Sequence, residues 1–158
     1  MMVELVPMTE TEYRRFVRWC VEDYAQQQVR AGAWQPDAAV SLAKQMVHGL
    51  LPEGLSTPDH YLFSILDRES ADRVGYLWYG LRKGAGEQFV ALYELVILEV
   101  YRRQGYGTAS LKVLEERALD LGMDRILLHV FGHNEAARAL YRQSGYVERN
   151  VTMVRQLD

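Results

Sequence analysis

Cysteine occurs once in these 158 residues, at Cys20, and proline only four times. A lone thiol excludes an internal disulfide and any site built from several thiolates. Phe16, Val17, Val21 and Tyr24 share its helical face, so Cys20 reads as core. Long apolar runs are also missing: nothing approaches the roughly 18 residues of a membrane-spanning helix. Nor does one sign of charge dominate. Eighteen Lys and Arg stand against 21 Asp and Glu, for a net charge of −3, which argues against nucleic acid as a main partner. The start, "MMVELVPMTE", has neither the basic nor the apolar region of a secretory signal, so a cytoplasmic location is expected. No two of His48, His60, His129 and His133 have a metal-ligand spacing backed by neighbouring acids, so no metal is expected. No repeat, low-complexity tract or linker divides the chain, which predicts one domain over residues 2–158.

Ordered elements fill the chain instead. "VELVP" reads as a first strand, and Thr9 with Glu12 has the spacing of a capping box opening a helix. "AGAWQPD" breaks it, and a second helix carries Ala39, Leu42, Ala43, Met46 and Leu50 on one side. Strands follow at 61–66, 74–82 and 89–98, rich in aromatic and branched residues. Leu111, Leu114, Ala118 and Leu121 mark a helix stopping at Gly122. "RILLHVF" (125–131) is a strand with both faces covered, "NEAARALYRQSG" a short helix, and "VTMVRQL" a last strand closing the sheet. The order β-α-α-β-β-β-α-β-α-β implies a mixed α/β sheet with a right-handed parallel crossover after strand 89–98.

That crossover begins with "EVYRRQGYGTASL". The spacing fits neither the G-x-x-x-x-G-K-[ST] phosphate loop nor the G-x-G-x-x-G dinucleotide turn, since Ser110 takes the third glycine's place. It retains Arg102-Arg103-Gln104-Gly105-Tyr106-Gly107-Thr108 at a helix start, where successive N–H groups and the helix dipole suit a diphosphate. The plainer reading is a tight turn with solvated arginines.

Further along come Asn134, Ala137 and "ALYRQSGY". An R-x-x-G-x-G turn, a helix, a strand and then N-x-x-A-x-x-L-Y-x-x-x-G-Y form a specific combination. It resembles the GNAT superfamily of acyl-CoA-dependent N-acetyltransferases, most closely from Glu94 to Tyr146. The resemblance implies a mixed, mostly antiparallel twisted sheet of six to seven strands with helices on both faces. It also implies acetyl-CoA as co-substrate in a cleft where strand 89–98 parts from strand 125–131. Main-chain groups of Leu95, Val96 and Ile97 would meet the pantetheine arm, Arg102 to Thr108 would form the diphosphate turn, and Asn134 would help fix the coenzyme. Two departures stand out: Leu98-Glu99 replaces the family's frequent Asp-Pro, and Arg103 stands where glycine is common.

Acetyl transfer to an amine requires a base, because amines are protonated near neutral pH, and a proton donor for the departing thiolate. By its L-Y-x-x-x-G context, Tyr141 is the candidate acid. Glu94, the only carboxylate within the strand's apolar run, is the first candidate base, and His129, inside "ILLHVF", the second. His133 reads as a surface or capping residue. The acceptor pocket is expected between Tyr24 and Leu51 with Trp34, and Trp78, Tyr79 and Tyr93 are either lining or core. Glu22 and Asp23 read as solvated helix acids. The acceptor amine is open, a homodimer through edge strands is expected, and the alternative is an acyl-CoA sensor without turnover.

Overall fold

In the computed structural model, which describes residues 2–157, the elements follow this order: β1 (Val3–Pro7), α1 (Glu10–Arg30), α2 (Pro36–Leu50), β2 (His60–Asp67), β3 (Arg73–Gly84), β4 (Glu87–Ile97), α3 (Tyr106–Asp120), β5 (Ile126–Leu128) and α4 (Glu135–Gln143). The expected capping box is present at α1: the Glu12 N–H donates to Thr9 Oγ1 (3.2 Å) and the Thr9 N–H donates to Glu12 Oε1 (3.0 Å). Pro36 opens α2, where its missing N–H costs nothing. The buried stripe of α2 is Ala39, Ala43 and Val47, while Met46 faces outward. Small residues let α2 lie close against α1.

Among the described residues the sheet has five strands in the order β1-β2-β3-β4-β5, antiparallel except for the parallel pair β4–β5. Two apolar clusters cover its faces. Phe16, Cys20, Val21 and Ala25 of α1 and Ala43 of α2 pack with Leu62 and Trp78 on one side. Leu111, Leu114 and Ala118 of α3 pack with Phe63, Leu77, Tyr79 and Val90 on the other, and α4 adds Leu140 and Tyr141, partly covered. Trp78 and Tyr79, adjacent in β3, therefore point to opposite clusters, and both are buried, which makes them core.

The expectation of six to seven strands is corrected to five. Residues 151–157 form no strand, and the penultimate strand shrinks from 125–131 to Ile126–Leu128. The reason is geometric. A β-bulge in β4 bends it away from β5, so the two pair only from Val90 to Leu92 against Ile126 to Leu128. Within the described chain the last segment finds no partner backbone.

Candidate active site

The bulge positions the site. Trp78 faces Glu94 across the β3–β4 ladder while the next residue, Tyr79, faces Leu92, so Tyr93 is the extra residue. Tyr93 stacks on Trp78 with ring centroids 4.8 Å apart and lies against His60 at 5.3 Å, on the α1 side of the sheet. Glu94 turns to the same side, where the charges that act on it and on Cys20 are shared with α1. Beyond the bulge, β4 runs from Glu94 to Ile97 with no strand on its β5 side. The Leu98 N–H donates to the Val74 carbonyl (2.8 Å). By antiparallel alternation Val96 also bonds toward β3, and Leu95 and Ile97 turn their main-chain groups to the open cleft.

Glu94 keeps some accessible surface, but protein surrounds its carboxyl on most sides. Burial, and secondarily the nearby charge of Asp23, push its pKa up to about 8. Asp23, half-buried on α1, is itself raised by burial, with a hydrogen bond from Gln27 and the charge of Arg102 opposing. The expectation of a solvated acid holds for the exposed Glu22 and is corrected for Asp23. The missing signal was the angle at which α1 crosses the sheet. Tyr141 reaches the same cleft from α4. Its hydroxyl is held well above the ordinary tyrosine range by burial first, then by the Glu94 charge. Glu94, Asp23 and Tyr141 are thus brought together from three elements. The Cys20 thiol below them is buried and pushed well up, in keeping with a core residue.

His129 stands apart. It follows the end of β5 and is exposed, its ring edge-on to Phe131 at 5.2 Å. Phe131 in turn packs against Tyr24 (6.0 Å), and Tyr24 against Trp34 (5.5 Å). His133 hydrogen-bonds to Gln27 and stacks on Phe131, tying the β5–α4 loop to α1. Its ring is a bridge, while its carbonyl accepts from the N–H of Glu135, the first residue of α4 (3.1 Å). Asn134 is the N-cap of α4, its Oδ1 accepting from the Ala137 N–H (3.2 Å).

The glycine–arginine turn follows a 3-10 turn at Glu99–Tyr101. From Arg103 to Thr108 no main-chain N–H is bonded among the described residues, and the first helical bond is Ala109 N–H to Gly105 C=O (3.0 Å). α3 has no side-chain cap. Its positive end is therefore open to an anion. The side chains around it hold the turn in shape. Arg102 Nε donates to the Ile97 carbonyl (2.9 Å), Gln104 to the Val100 carbonyl (3.2 Å), and the Tyr106 hydroxyl to Asp67 Oδ2 (2.6 Å). That last bond is the first cause raising Tyr106 to about 12 and lowering Asp67.

The two glycines have different reasons. Gly105 sits at φ 87°, and a Cβ there would meet only Met2 Sδ at an ordinary 4.0 Å, so glycine is favoured here by backbone conformation. Gly107 is favoured by packing: its Cβ would lie 3.0 Å from Leu140 Cδ2 on α4, which would have to shift slightly. Arg103 also has positive φ, 60°, which explains why glycine suits this position and marks local strain at the turn.

The chain matches the model of the Acetyltransferase (GNAT) family over residues 14–146. It is 38% identical to YycN of Bacillus subtilis, named an uncharacterized N-acetyltransferase, over 99% of this chain and all of that one. It is 33% identical to YdgE of the same organism, named likewise, over 97% of each. The crystal structure of YycN superimposes with a TM-score of 0.93 over 98% of both chains, at 37% identity. Splayed parallel strands, an uncapped helix start beside them and matching relatives along nearly the whole chain agree: this protein belongs to the GNAT family of acetyltransferases.

Proposed function

We propose that the chain moves the acetyl group of acetyl-CoA to a primary amine, with Glu94 as general base and Tyr141 as donor to the departing sulfur. One observation carries this reading: the unbonded N–H groups of Arg103 to Thr108 open beside the gap between β4 and β5, where Glu94 and Tyr141 meet. Those N–H groups suit a diphosphate, Arg103 adds charge, and the Asn134 amide nitrogen is left free by the cap. Leu95 offers its main-chain N–H and carbonyl, and Ile97, whose carbonyl is held by Arg102, its N–H, to an extended pantetheine arm, as a sheet edge does to a peptide.

Acetyl-CoA supplies an activated thioester. Glu94 takes a proton from the attacking amine, so the new C–N bond ends on a neutral amide. A strand N–H at Leu95 or Ile97 faces the charge that develops on the carbonyl oxygen. As the C–S bond breaks, the Tyr141 hydroxyl gives its hydrogen to the sulfur, which would otherwise leave as thiolate. Part of what holds that hydroxyl proton is the Glu94 charge. Protonating Glu94 removes this part at the moment the proton is needed. His129, exposed beyond β5, is the weaker candidate base.

A thiol-release assay across diverse primary amines, run beside calorimetry with acetyl-CoA, tests the reading. Tyr141→Phe is expected to lower kcat by about 10²-fold with little change in acetyl-CoA affinity. Arg103→Glu is expected to weaken acetyl-CoA by about tenfold. Binding without thiol release from any amine would make the protein a sensor. Failure to bind acetyl-CoA would remove the proposal altogether.

A further inference from the structure

The molecule is unfinished along one side. β5 pairs through one edge only, and Ile126, Leu127 and Leu128 are all half-exposed. α4, whose Leu140 and Tyr141 border the same apolar cluster as Ile126 and Leu128, buries no residue fully. After Gly145 the chain has no turn, no positive φ and no main-chain hydrogen bond from Val147 onward among the described residues. Val147, Val151, Met153, Val154 and Leu157 are 63–89% exposed. Gln156 lies beside Gly32 in the α1–α2 connection, so this segment passes the open side without joining it.

Surface area points the same way. The chain exposes 10392 Å², whereas a compact monomer of its 18.2 kDa would expose about 8,100 Å². The excess, roughly 2,300 Å², is what one subunit of a large homodimer buries, about 1,000–2,500 Å² per partner. An open edge and an apolar extended segment are each an aggregation liability in a monomer. Here they are complementary. Extended backbone at about 3.3 Å per residue gives residues 147–157 a reach of roughly 36 Å, well beyond a single strand's width. Without a turn, the segment cannot fold back as a hairpin.

We propose that two copies of this chain exchange residues 147–157, each segment pairing as an added strand on the free β5 edge of the other copy. Two-fold symmetry makes the exchange reciprocal and closes it at a dimer. Strand alternation puts Val151, Met153 and Leu157 on one face and Val154 on the other, so both faces of the extended sheet gain apolar cover. The elements covered are β5 and α4, and α4 carries Tyr141. The exchange goes beyond the proposed chemistry and does not depend on it.

Light scattering and amide hydrogen exchange on the unmodified chain test it together. The expected mass is twice 18.2 kDa, with alternate amides of residues 151–156 protected, since an added edge strand is bonded on one side. Dilution into monomer should remove that protection. Adjacent strand residues turn their N–H groups to opposite sides, so at least one of Met153→Pro and Val154→Pro should abolish the dimer. A monomer at all concentrations, a dimer whose last residues exchange freely, or protection that survives in the monomer would each overturn the exchange. So would dimers that persist in both proline variants.

Discussion

At the scale of the residue, Glu94 combines two opposed demands. Its raised pKa, to about 8, leaves it mostly protonated at neutral pH, so a base role makes kcat/KM climb as pH rises through that value. Asp23 contributes to the shift. Asp23→Asn should therefore move the acid limb of the kcat/KM profile to lower pH, and an unmoved limb would separate Asp23 from the base. Stability carries the opposite sign. Between the ordinary glutamate pKa near 4.5 and about 8 the folded state binds more protons than the unfolded state, so stability falls as pH rises across this window. Glu94→Gln should match the parent's Tm near pH 5 and exceed it at pH 8.5, while turnover drops by about 10²-fold. A constant Tm difference across that range would mean that Glu94 is not buried as a charge.

At the scale of the element, α3 and α4 meet where Gly107 faces Leu140, one residue before Tyr141. Gly107→Ala needs only a small move of a flexible leucine, so its stability cost should be about 1 kcal/mol. Because the same helix carries the hydroxyl, kcat should fall by about tenfold, since modest misplacement is costly in catalysis. Urea unfolding and kcat measured on the same preparation would compare the two. An intact kcat would show that α4 absorbs the shift without turning Tyr141. The turn before α3 works differently. Its shape comes from Arg102, Gln104 and Tyr106 bonding to protein, which leaves the backbone amides free for a ligand.

At the scale of the whole molecule, stability is uneven. β2 and β3 are paired on both sides, β4 only from Val90 to Leu92, and the three carry the fully buried residues Ile65, Leu77 and Val90. β5 has three residues and α4 none fully buried. Native-state hydrogen exchange should find amides of 135–143 opening at least 10²-fold more often than those of 62–66. Acetyl-CoA, if it bridges α3, β4 and the start of α4, should narrow that difference. Equal protection across the molecule would contradict the uneven packing.

Much of this architecture was legible in the chain itself. The capping box at Thr9, the α1 stripe through Cys20, the β-α-α-β-β-β-α-β-α order and the glycine turn are local patterns, dictated by periodicity and backbone preference over a few residues. The family likeness rested on the same short-range motifs. Tertiary structure decided what depends on distant chain: the bulge that turns Glu94 toward α1, the approach of Asp23, the burial of both Trp78 and Tyr79, and the packing reason for Gly107. It also decided that residues 151–157 form no strand here. A strand exists only if a neighbour presents free backbone at the right spacing, and no stretch of sequence contains its own neighbour.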